Sequence, residues 1–558
     1  MYKRQIPLSP GATVSAVYAS PAPAGMPLLP GHTNAKNPAT VTILEAEEYP
    51  GENNRLRQRL TIEELAPKDG GEHPAYPVAL VPSKVIPTTS IDGALSDIAH
   101  RVLDGGDELP TSAGVDLLLR RPPRLTEGLA LPAVGEGPTR HIDAIQAALT
   151  GMSDSYVAVQ GPPGTGKTWV GAAVIARLVR DHGWRVGVTS QGHKAIENLL
   201  GAIIDAGVPA GQVGKETRAS EDPTWTSLEK ADDLAGFAAE HASAGTGYVI
   251  GGTAWDLTKV GRVARGQLDL VVVDEAGQYS LAKTLAVSVA GARLLLLGDP
   301  AQLAQVSTGT HGEPVDESAL GWLIGAAPIL PADLGYFLES TWRMHPALCS
   351  PVSHLSYAGA LTSHETVTTA RRLDGVEPGL HVRLVDHHDN SQASPEEAAA
   401  VVDLARDLLG RSWEDPQEKD AGGRPVGPRP LREDDLIVVT PYNQQVRAVR
   451  RALDEAGLTG IPVGSVDKFQ GQQAAVAILT MAASSPSDVS RGMGFLLDRH
   501  RLNVAISRGK FAAYLIRSEV LTEFGPRSPG ELVALGAFLG LGERAATTTA
   551  VPVSAPRH

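Results

Sequence analysis

One segment constrains the fold of this 558-residue chain more than any other: residues 161–168 read Gly-Pro-Pro-Gly-Thr-Gly-Lys-Thr. The segment follows an apolar run at 156–159 and precedes a helical pattern at 169–182, which Gly183 ends. Glycines allow such a loop to turn its backbone N–H groups inward around phosphate oxygens, and the positive end of the following helix dipole adds to the attraction. The spacing therefore predicts a strand, a phosphate-binding loop and a helix. The residues expected at the phosphates are Gly161, Pro162, Gly164, Thr165, Gly166, Lys167 and Thr168.

Short apolar runs recur along the rest of the chain and alternate with amphipathic helical patterns. Runs of this kind are typical of strands buried on both faces, in parallel sheets that helices cover. They predict two α/β domains in tandem. The predicted strands are 156–159, 186–189, 248–250, 268–273 and 294–297, followed by 381–385, 436–440, 463–466, 476–481 and 513–516.

The regions outside these runs determine the predicted domain boundaries. The N-terminal region is rich in Pro and Gly, with β-leaning runs such as 39–44 and one helix near 91–103. Residues 413–432 are dense in Gly, Pro and charge, which predicts an exposed loop. The predicted divisions are a small β-containing accessory or stalk domain at 1–135, α/β domains at 136–335 and 336–540, and a disordered tail at 541–558.

The composition excludes several classes of protein. Lys and Arg number 49 against 63 Asp and Glu, a net charge of −14, so the chain is no histone-like cation that binds nucleic acid by bulk charge. A single cysteine excludes an internal disulfide and a four-cysteine zinc or iron–sulfur site. The sequence shows no signal-peptide pattern and no apolar run of the roughly 18 residues that a membrane span needs. We therefore expect a cytoplasmic protein with no membrane partner.

A second half of the phosphate site is expected where the apolar run at 268–273 ends in Asp274 and Glu275. Lys167 is expected between the β- and γ-phosphates, and Thr168 on Mg²⁺. Asp274 is expected to hold the same ion through water, and Glu275 to polarise the attacking water, which a hydrolase needs and a kinase does not. ATP and Mg²⁺ are the predicted cofactors.

Further segments read Gly-Asp-Pro-Ala-Gln-Leu at 298–303, Thr-Trp-Arg-Met-His-Pro at 341–346 and Leu-Asn-Val-Ala-Ile-Ser-Arg at 502–508. Together with the two segments above, and in this order, they resemble the superfamily 1 helicases, in the subgroup of the nonsense-mediated-decay RNA helicase. The resemblance covers residues 105–535 and is closest to the helicase half of bacterial RecB-like nuclease–helicase fusion proteins. It implies an α/β chain with two tandem RecA-like P-loop NTPase domains, preceded by the small β-containing domain.

The resemblance also implies roles for single residues. Gln146 corresponds to the family's adenine-reading glutamine, and Tyr442 to a tyrosine that packs near the adenine. Gln302 corresponds to the residue that couples the γ-phosphate sensor, and Arg343 and Arg508 to two arginine fingers. Arginines from a second domain stabilise the charge that phosphoryl transfer spreads over the γ-oxygens. ATP would thus close the cleft between the domains, and hydrolysis would reopen it and move them along a strand.

Three segments, 189–195, 251–255 and 464–471, resemble the family's strand-contacting motifs. Their hydroxyls, backbone N–H groups and few cations suit phosphate contacts that read no bases. Trp255 is equally consistent with base stacking and with a place in the domain core. The partner implied is single-stranded DNA or RNA, bound without sequence preference. The residues expected to touch it are Ser190, His193, Lys194, Thr253, Trp255, Thr440 and Ser465.

The sequence departs from the family pattern in places. Gln473 stands where an acidic residue is usual, so with Gly471 it is expected at the nucleotide, where an amide bonds a ribose hydroxyl without the charge. Gly509 follows Arg508 where alanine is more usual. Residues 1–135 hold no clustered acid–lysine nuclease signature, so nuclease activity is not predicted. A nuclease domain or subunit is a candidate partner, and the chain is expected to be either a free-standing helicase or the C-terminal part of a longer protein.

The sequence thus predicts an ATP-dependent translocase and helicase that moves 5′ to 3′ on DNA or RNA, in DNA repair or nucleic-acid processing. An alternative is a nucleic-acid clamp that ATP switches without processive unwinding. A third reading, a small-molecule kinase, is disfavoured because Glu275, Gln302 and two arginines form a hydrolysis set and no acceptor site is evident.

Overall fold

The computed structural model describes residues 10–29, 33–37, 40–50, 56–65, 73–82, 87–128, 130–216, 223–228, 231–304, 314–315, 317–420, 422–469, 471–543 and 546–547. By its internal contacts the chain divides into two compact units. Among the described residues, the smaller unit runs to Thr89 at the start of the first helix, and the larger unit contains those from Ser90 onward.

The smaller unit is an antiparallel sheet with its own small core. Its strands run in the order β2-β1-β3-β4, and the last strand, β5, also pairs with β1. Val14, Ala16 and Tyr18 alternate along one face of β1 and pack against Val41 and Ile43 of β3. The strands are β1 (Thr13–Tyr18), β2 (Ala35–Lys36), β3 (Val41–Pro50), β4 (Leu56–Glu64) and β5 (Ala79–Pro82).

The larger unit begins with an eight-stranded parallel sheet in the order β13-β6-β12-β11-β7-β10-β8-β9. Its strands are β6 (Tyr156–Gln160), β7 (Arg185–Thr189), β8 (Val213–Lys215), β9 (Thr226–Ser227), β10 (Tyr248–Gly251), β11 (Leu268–Asp274), β12 (Gly291–Gly298) and β13 (Gly335–Phe337). Its helices are α1 (Thr89–Asp104), α2 (Ala113–Leu118), α3 (Arg140–Thr150), α4 (Lys167–His182), α5 (His193–Asp205), α6 (Ala231–Ala244), α7 (Ala254–Thr258), α8 (Leu281–Ser288) and α9 (Ala319–Ile324).

The second domain of the larger unit is built on a six-stranded parallel sheet in the order β21-β20-β22-β23-β17-β24. Its strands are β14 (Ser340–Thr341), β15 (Thr362–Ser363), β16 (Arg372–Leu373), β17 (Gly379–Leu384), β18 (Ser412–Glu414), β19 (Arg429–Pro430), β20 (Leu436–Thr440), β21 (Val463–Ser465), β22 (Ala474–Thr480), β23 (Gly509–Arg517) and β24 (Ala546–Thr547). Its helices are α10 (Pro346–Ser356), α11 (Glu365–Thr368), α12 (Pro395–Leu408), α13 (Asn443–Glu455), α14 (Met493–Leu496), α15 (Arg499–Ile506) and α16 (Pro529–Glu543).

These two parallel sheets confirm the predicted α/β fold class. All ten strands predicted from apolar runs are present, as β6, β7, β10, β11, β12, β17, β20, β21, β22 and β23. Helices cover both faces of the first sheet, with Val157 and Val159 facing α3, α4 and α5, and Tyr156 and Ala158 facing the opposite group. No helix in the described ranges has both the length and the apolar character that crossing a membrane requires.

The domain divisions of the structure differ in detail from the predicted ones. Helices α1 and α2 bury Ile91, Ala94 and Leu117 in the core of the first α/β domain, so residues 90–135 pack with that domain. Helix α16 runs to Glu543, three residues into the predicted tail, and β24 pairs with β17. The rest of the predicted tail lies outside the described residues.

The segment predicted as an exposed loop at 413–432 is mostly exposed between 416 and 428, but its ends form strands β18 and β19 of a small antiparallel sheet, β16-β18-β19. Trp413 is only 1% exposed and anchors this sheet on the second domain. The carboxylate of Asp415 accepts bonds from Arg371 Nε at 3.0 Å and Lys510 Nζ at 2.9 Å. The Asp415 and Arg371 side chains are buried, and that of Lys510 is partly buried. The Gly-, Pro- and charge-rich composition of this segment therefore gave no indication of its buried ion pairs.

Replacing Asp415 with asparagine is expected to lower the free energy of unfolding by about 3 kcal/mol, since it leaves the buried charge of Arg371 unpaired. Chemical denaturation of the full chain measures the change. Asp454→Asn is the matched control, because its pair with Arg450 is solvent-exposed and worth about 0.5 kcal/mol or less. Equal losses of stability in the two variants would contradict the assignment of Asp415 to a buried ion-pair network.

The same network has a pH dependence. Burial raises the pKa of Asp415, but the hydrogen bond and charge of Lys510 and the charge of Arg371 outweigh burial and lower it. The folded pKa thus lies below the unfolded value of about 3.9. This contribution to stability is therefore present at neutral pH and is lost as the pH falls below about 4.

Candidate functional site

The phosphate loop lies between β6 and α4, where the spacing predicts it. The N–H of Gly161 donates to the carbonyl of Gly298 at 2.8 Å, which ties the loop to the end of β12. Gly164 and Gly166 adopt φ values of +77° and +80°, which only glycine adopts without strain. Thr165 donates its hydroxyl to a carbonyl of the same loop at 2.9 Å. The loop therefore presents its turn at the positive end of the α4 dipole.

Charged side chains meet beside the loop at the carboxyl end of β11. Lys167 Nζ lies 3.2 Å from Glu275 Oε2. Burial would lower the pKa of Lys167, but the carboxylates of Glu275, Asp274 and Asp299 outweigh it and raise the pKa. Burial, reinforced by the charge of Glu275, raises the pKa of Asp274 to about 6. Lys167 is therefore a charged ammonium group held among acids.

The acidic edge fits the predicted cation. Asp274 Oδ1 is buried and has no hydrogen-bond partner among the residues that the structure describes. A buried oxygen of this kind is costly unless a cation or a donor meets it. Thr168, in the first turn of α4, adds a hydroxyl, and Mg²⁺ prefers such oxygen ligands together with substrate phosphates.

A buried hydrogen-bond network joins the first α/β domain to the second. Asp299 accepts bonds from Gln302 Nε2 at 2.9 Å and from the hydroxyl of Tyr357 at 2.7 Å. The Tyr357 oxygen in turn accepts from Asn503 Nδ2 at 2.8 Å. Sequence reasoning found Gln302 but missed Tyr357, which lies outside every motif. The sequence does single out Asn503, because it is an amide in the otherwise apolar 502–506 stretch. The structure buries its side chain completely.

The two predicted arginine fingers, Arg343 and Arg508, lie close together. Arg343 donates from Nη1 to the carbonyl of Ser507 at 3.1 Å and from Nε to Gln473 Oε1 at 3.0 Å. Burial lowers the pKa of Arg343 to about 9, and the charge of Arg508 adds to this effect. Burial also lowers the pKa of Arg508 to about 10. Both remain charged at neutral pH.

The second-domain segment that carries Arg343 rests directly on the phosphate loop. The N–H of Trp342 donates to the carbonyl of Gly164 at 2.8 Å. The hydroxyl of Thr341 donates to the carbonyl of Pro163 at 2.8 Å. Arg343 and the loop therefore share one cleft.

A cavity of about 710 Å³ opens beside the loop. Gly164 and the start of α4 line one side, Arg140 and His141 a second, and Trp342 and His364 a third. The rings of Trp342 and His364 are stacked with centroids 3.8 Å apart, and Trp342 remains 43% exposed. The size and the aromatic wall suit a nucleoside whose phosphates lie in the adjoining loop.

Gln146 does not line this cavity, so its predicted role in reading adenine is corrected. It accepts from Arg177 Nη1 at 3.1 Å and lies 3.3 Å from His182 Nε2. Arg177 lies about ten residues, or about 15 Å, along α4 from the phosphate loop. His141, nearer the start of α3, lines the cavity instead, with Nε2 3.0 Å from Glu339 Oε2.

The structure also corrects the role expected for Tyr442. Its ring is 5% exposed, 5.5 Å from the ring of Phe495 in the second-domain core, and it does not line the cavity. Gln473, expected at a ribose, bonds Arg343 here. Gly471 is exposed with φ +82°, and its predicted nucleotide contact stays a prediction.

The residues predicted to touch a strand divide into accessible and buried ones. His193 and Lys194 are exposed in the first turn of α5, and Ser465 is half-buried at the end of β21. Thr253 donates its hydroxyl to the carboxylate that caps α7 at 2.8 Å. Trp255 packs partly buried against the first-domain core. Strand contact by these five stays a prediction.

Two of the expected strand contacts are corrected. Ser190 is only 2% exposed, and Thr440 is 1% exposed and donates its hydroxyl to the carbonyl of Tyr442 at 3.1 Å. Neither side chain is accessible to a polymer outside the domain. Their position at strand ends was predicted correctly, but the direction of each side chain was not visible in the sequence.

Two family models match the chain, and each is described as an AAA domain. One covers residues 142–318 and the other residues 331–519. The first match contains the phosphate loop and the acidic end of β11, and the second contains both arginines. The matches thus follow the two α/β domains.

Curated relatives were also found. The chain is 29% identical to the mouse "3'-5' exoribonuclease HELZ2" over 46% of its length, and 25% identical to the Drosophila melanogaster "Regulator of nonsense transcripts 1 homolog" over 64%. It is 23% identical to the Saccharomyces cerevisiae "DNA replication ATP-dependent helicase/nuclease DNA2" over 75%. These alignments cover 9%, 32% and 28% of the three relatives, so the chain spans a third or less of each.

Proposed function

We propose that this chain, a member of the superfamily 1 helicases, hydrolyses ATP and uses the cycle to move on single-stranded DNA or RNA and to separate duplexes. The observation that carries the proposal is one cleft in which two domains meet. The first domain contributes the phosphate loop and the acidic end of β11, and the second contributes Arg343 and Arg508. Such a set suits phosphoryl transfer to water across a domain boundary.

Each residue of the cleft has a chemical task in this proposal. Lys167 and the loop N–H groups would hold the β- and γ-phosphates. Thr168 and Asp274 would hold Mg²⁺, which neutralises phosphate charge when bound. Glu275 is the carboxylate available to orient the attacking water and take its proton. The arginines would stabilise the charge that develops on the γ-oxygens.

The nucleic-acid part of the proposal has two supports. Relatives that cover most of this chain carry helicase in their names. His193 and Lys194 also lie exposed at a helix start on the same sheet edge as the cleft, where a backbone phosphate is favoured. Because the chain as a whole is acidic, such binding depends on a narrow strip of polar and basic residues, and it weakens as the salt concentration rises.

One assay series tests the proposal. ATP turnover of the full chain is measured alone, with single-stranded DNA and with single-stranded RNA, followed by displacement of 5′- and 3′-tailed duplexes. We expect strand-stimulated turnover and displacement. Stimulation without displacement would favour the ATP-switched clamp, and no turnover under any condition would contradict both.

Finer features of the function are proposed as well. The motif pattern favours 5′-to-3′ movement, which the two tailed duplexes distinguish. It also favours kinship with the helicase half of RecB-like nuclease–helicase fusions, with a nuclease domain or subunit as partner. A cytoplasmic location is proposed as well, which fractionation of the source cell would test.

Trp342→Ala is expected to weaken nucleotide binding about tenfold, because it removes one wall of the 710 Å³ cavity and the ring available for base stacking. Fluorescence titration with a labelled ADP measures the change. Trp342→Phe keeps a ring and should stay within about threefold of wild type. Equal affinity of the alanine variant and the wild type would show that the base binds elsewhere.

A further inference from the structure

Ser190 was expected at a nucleic-acid strand, but the structure buries it beside the acidic edge of the phosphate site. It follows β7 directly, and β7 pairs with β11 in parallel, with Thr189 opposite Val273. Ser190 is therefore level with Asp274 on the adjacent strand. Neighbouring strands lie about 4.8 Å apart, so the two residues are close neighbours.

The alternation of side chains shows which way Ser190 points. Val188 and Val272 pack in the cluster that contains the apolar side of α4. One residue later, Thr189 and Val273 face the opposite side, where the Thr189 hydroxyl lies 3.3 Å from that of Tyr279. The next residues, Ser190 and Asp274, return to the α4 side, because side chains alternate along a strand. Both thus face the helix whose first turn carries Lys167 and Thr168.

Two buried polar atoms without partners lie side by side at this point. Ser190 Oγ and Asp274 Oδ1 are both buried, and neither has a hydrogen-bond partner within the part of the chain that the structure describes. Ser190 is 98% buried, since its relative exposure is 2%. Buried hydroxyls and carboxylates almost always find partners, so two unpaired groups on neighbouring strand ends point to a polar ligand between them.

We propose that the Ser190 hydroxyl helps to hold Mg²⁺ with the nucleotide, by bonding to water that the ion retains beside Asp274. The inference rests on the proposed ATP site. Mg²⁺ keeps several of its waters when carboxylates and phosphates bind it, and those waters need protein partners. Ser190 is therefore a positioning residue for the cation rather than a contact for a strand.

The test uses the full chain and Mn²⁺ as the probe ion, titrated by electron paramagnetic resonance in the presence of ADP. Ser190→Ala is expected to raise the Mn²⁺ dissociation constant about tenfold, the scale of a lost outer partner of a bound metal. ADP affinity in EDTA and affinity for single-stranded DNA and RNA are expected to stay within about twofold of wild type.

Two further variants sharpen the result. Ser190→Cys keeps the volume but weakens the hydrogen bond, so it should reproduce the loss even if the alanine variant folds poorly. Thr189→Val removes a buried hydroxyl one residue away on the other face, and it should leave Mn²⁺ affinity unchanged. Thermal unfolding confirms that each variant is folded.

The outcomes separate this inference from the proposed function. Wild-type Mn²⁺ affinity in both folded Ser190 variants overturns the inference and leaves the ATP site intact. A loss of strand affinity without a change in Mn²⁺ affinity overturns it in favour of the strand contact. If the wild-type chain itself binds neither ADP nor Mn²⁺ with ADP, the proposed function and the inference fail together.

Discussion

Lys167→Ala is expected to reduce ATP turnover about a thousandfold while the fold is retained. Lys167 is the first residue of α4, and its ammonium lies 3.2 Å from Glu275 among three carboxylates. In the proposed site that ammonium moves onto the β- and γ-phosphates, where its charge is required throughout the transfer. Steady-state turnover with and without single-stranded DNA measures the loss.

Lys259→Ala is the matched control for this prediction. Lys259 is an exposed lysine that follows α7 and takes no part in the proposed site, so its removal should leave turnover within about twofold of wild type. Circular dichroism shows whether the Lys167 variant is folded, since the substitution leaves Glu275 without its partner. Substantial turnover in a folded Lys167→Ala protein would contradict the phosphate-site assignment.

The fold could be predicted because its determining features are local. An apolar run of three to six residues indicates a strand buried on both faces, and the glycine-rich loop determines which helix follows it. The structure has each of these strands with its ends shifted by a few residues. The short strands β8, β9 and β24 were missed, because two or three residues carry no periodicity.

The errors in the site have a common physical cause. A motif assigns a residue to a helix or strand. The direction of its side chain, however, depends on which face of the helix or strand that position occupies. Gln146 is on the predicted helix, yet it points toward Arg177, and His141 lines the cavity. Ser190 is at the predicted strand end, yet the alternation of side chains along the strand points it inward, toward α4.

Other parts of the site depend on contacts between distant segments. The bond from Tyr357 to Asp299 joins residues 58 apart, and that from Asn503 to Tyr357 joins residues 146 apart. A single sequence contains no signal for such pairs. Yet this network connects Gln302, the residue expected to couple the γ-phosphate sensor, with the helix that precedes Arg508, so it links the two domains beside the proposed ATP site.

Arg508→Ala is expected to lower the turnover number about a thousandfold while nucleotide affinity stays within about threefold of wild type. Arg508 is 1% exposed and donates to the carbonyls of Val504, Phe469 and Gln472, so three backbone oxygens hold its guanidinium in place. The residue is thus preorganised for charge that develops in the transition state rather than for the bound nucleotide. Single-turnover kinetics and labelled-ADP binding separate the two quantities.

Arg450→Ala is a control for the loss of an arginine that donates to backbone carbonyls. Arg450 also donates to backbone carbonyls, those of Ile461 and Leu458, but on α13. Its loss should lower stability without lowering turnover per folded molecule, whereas loss of Arg508 should lower turnover at full folding. Arg508→Lys should remain impaired, because a lysine has no planar fork of donors to span the carbonyls and the phosphate. Normal hydrolysis in a folded Arg508→Ala protein would mean that the second domain supplies no catalytic group at this position, and the cycle that couples hydrolysis to movement would then need Arg343 alone.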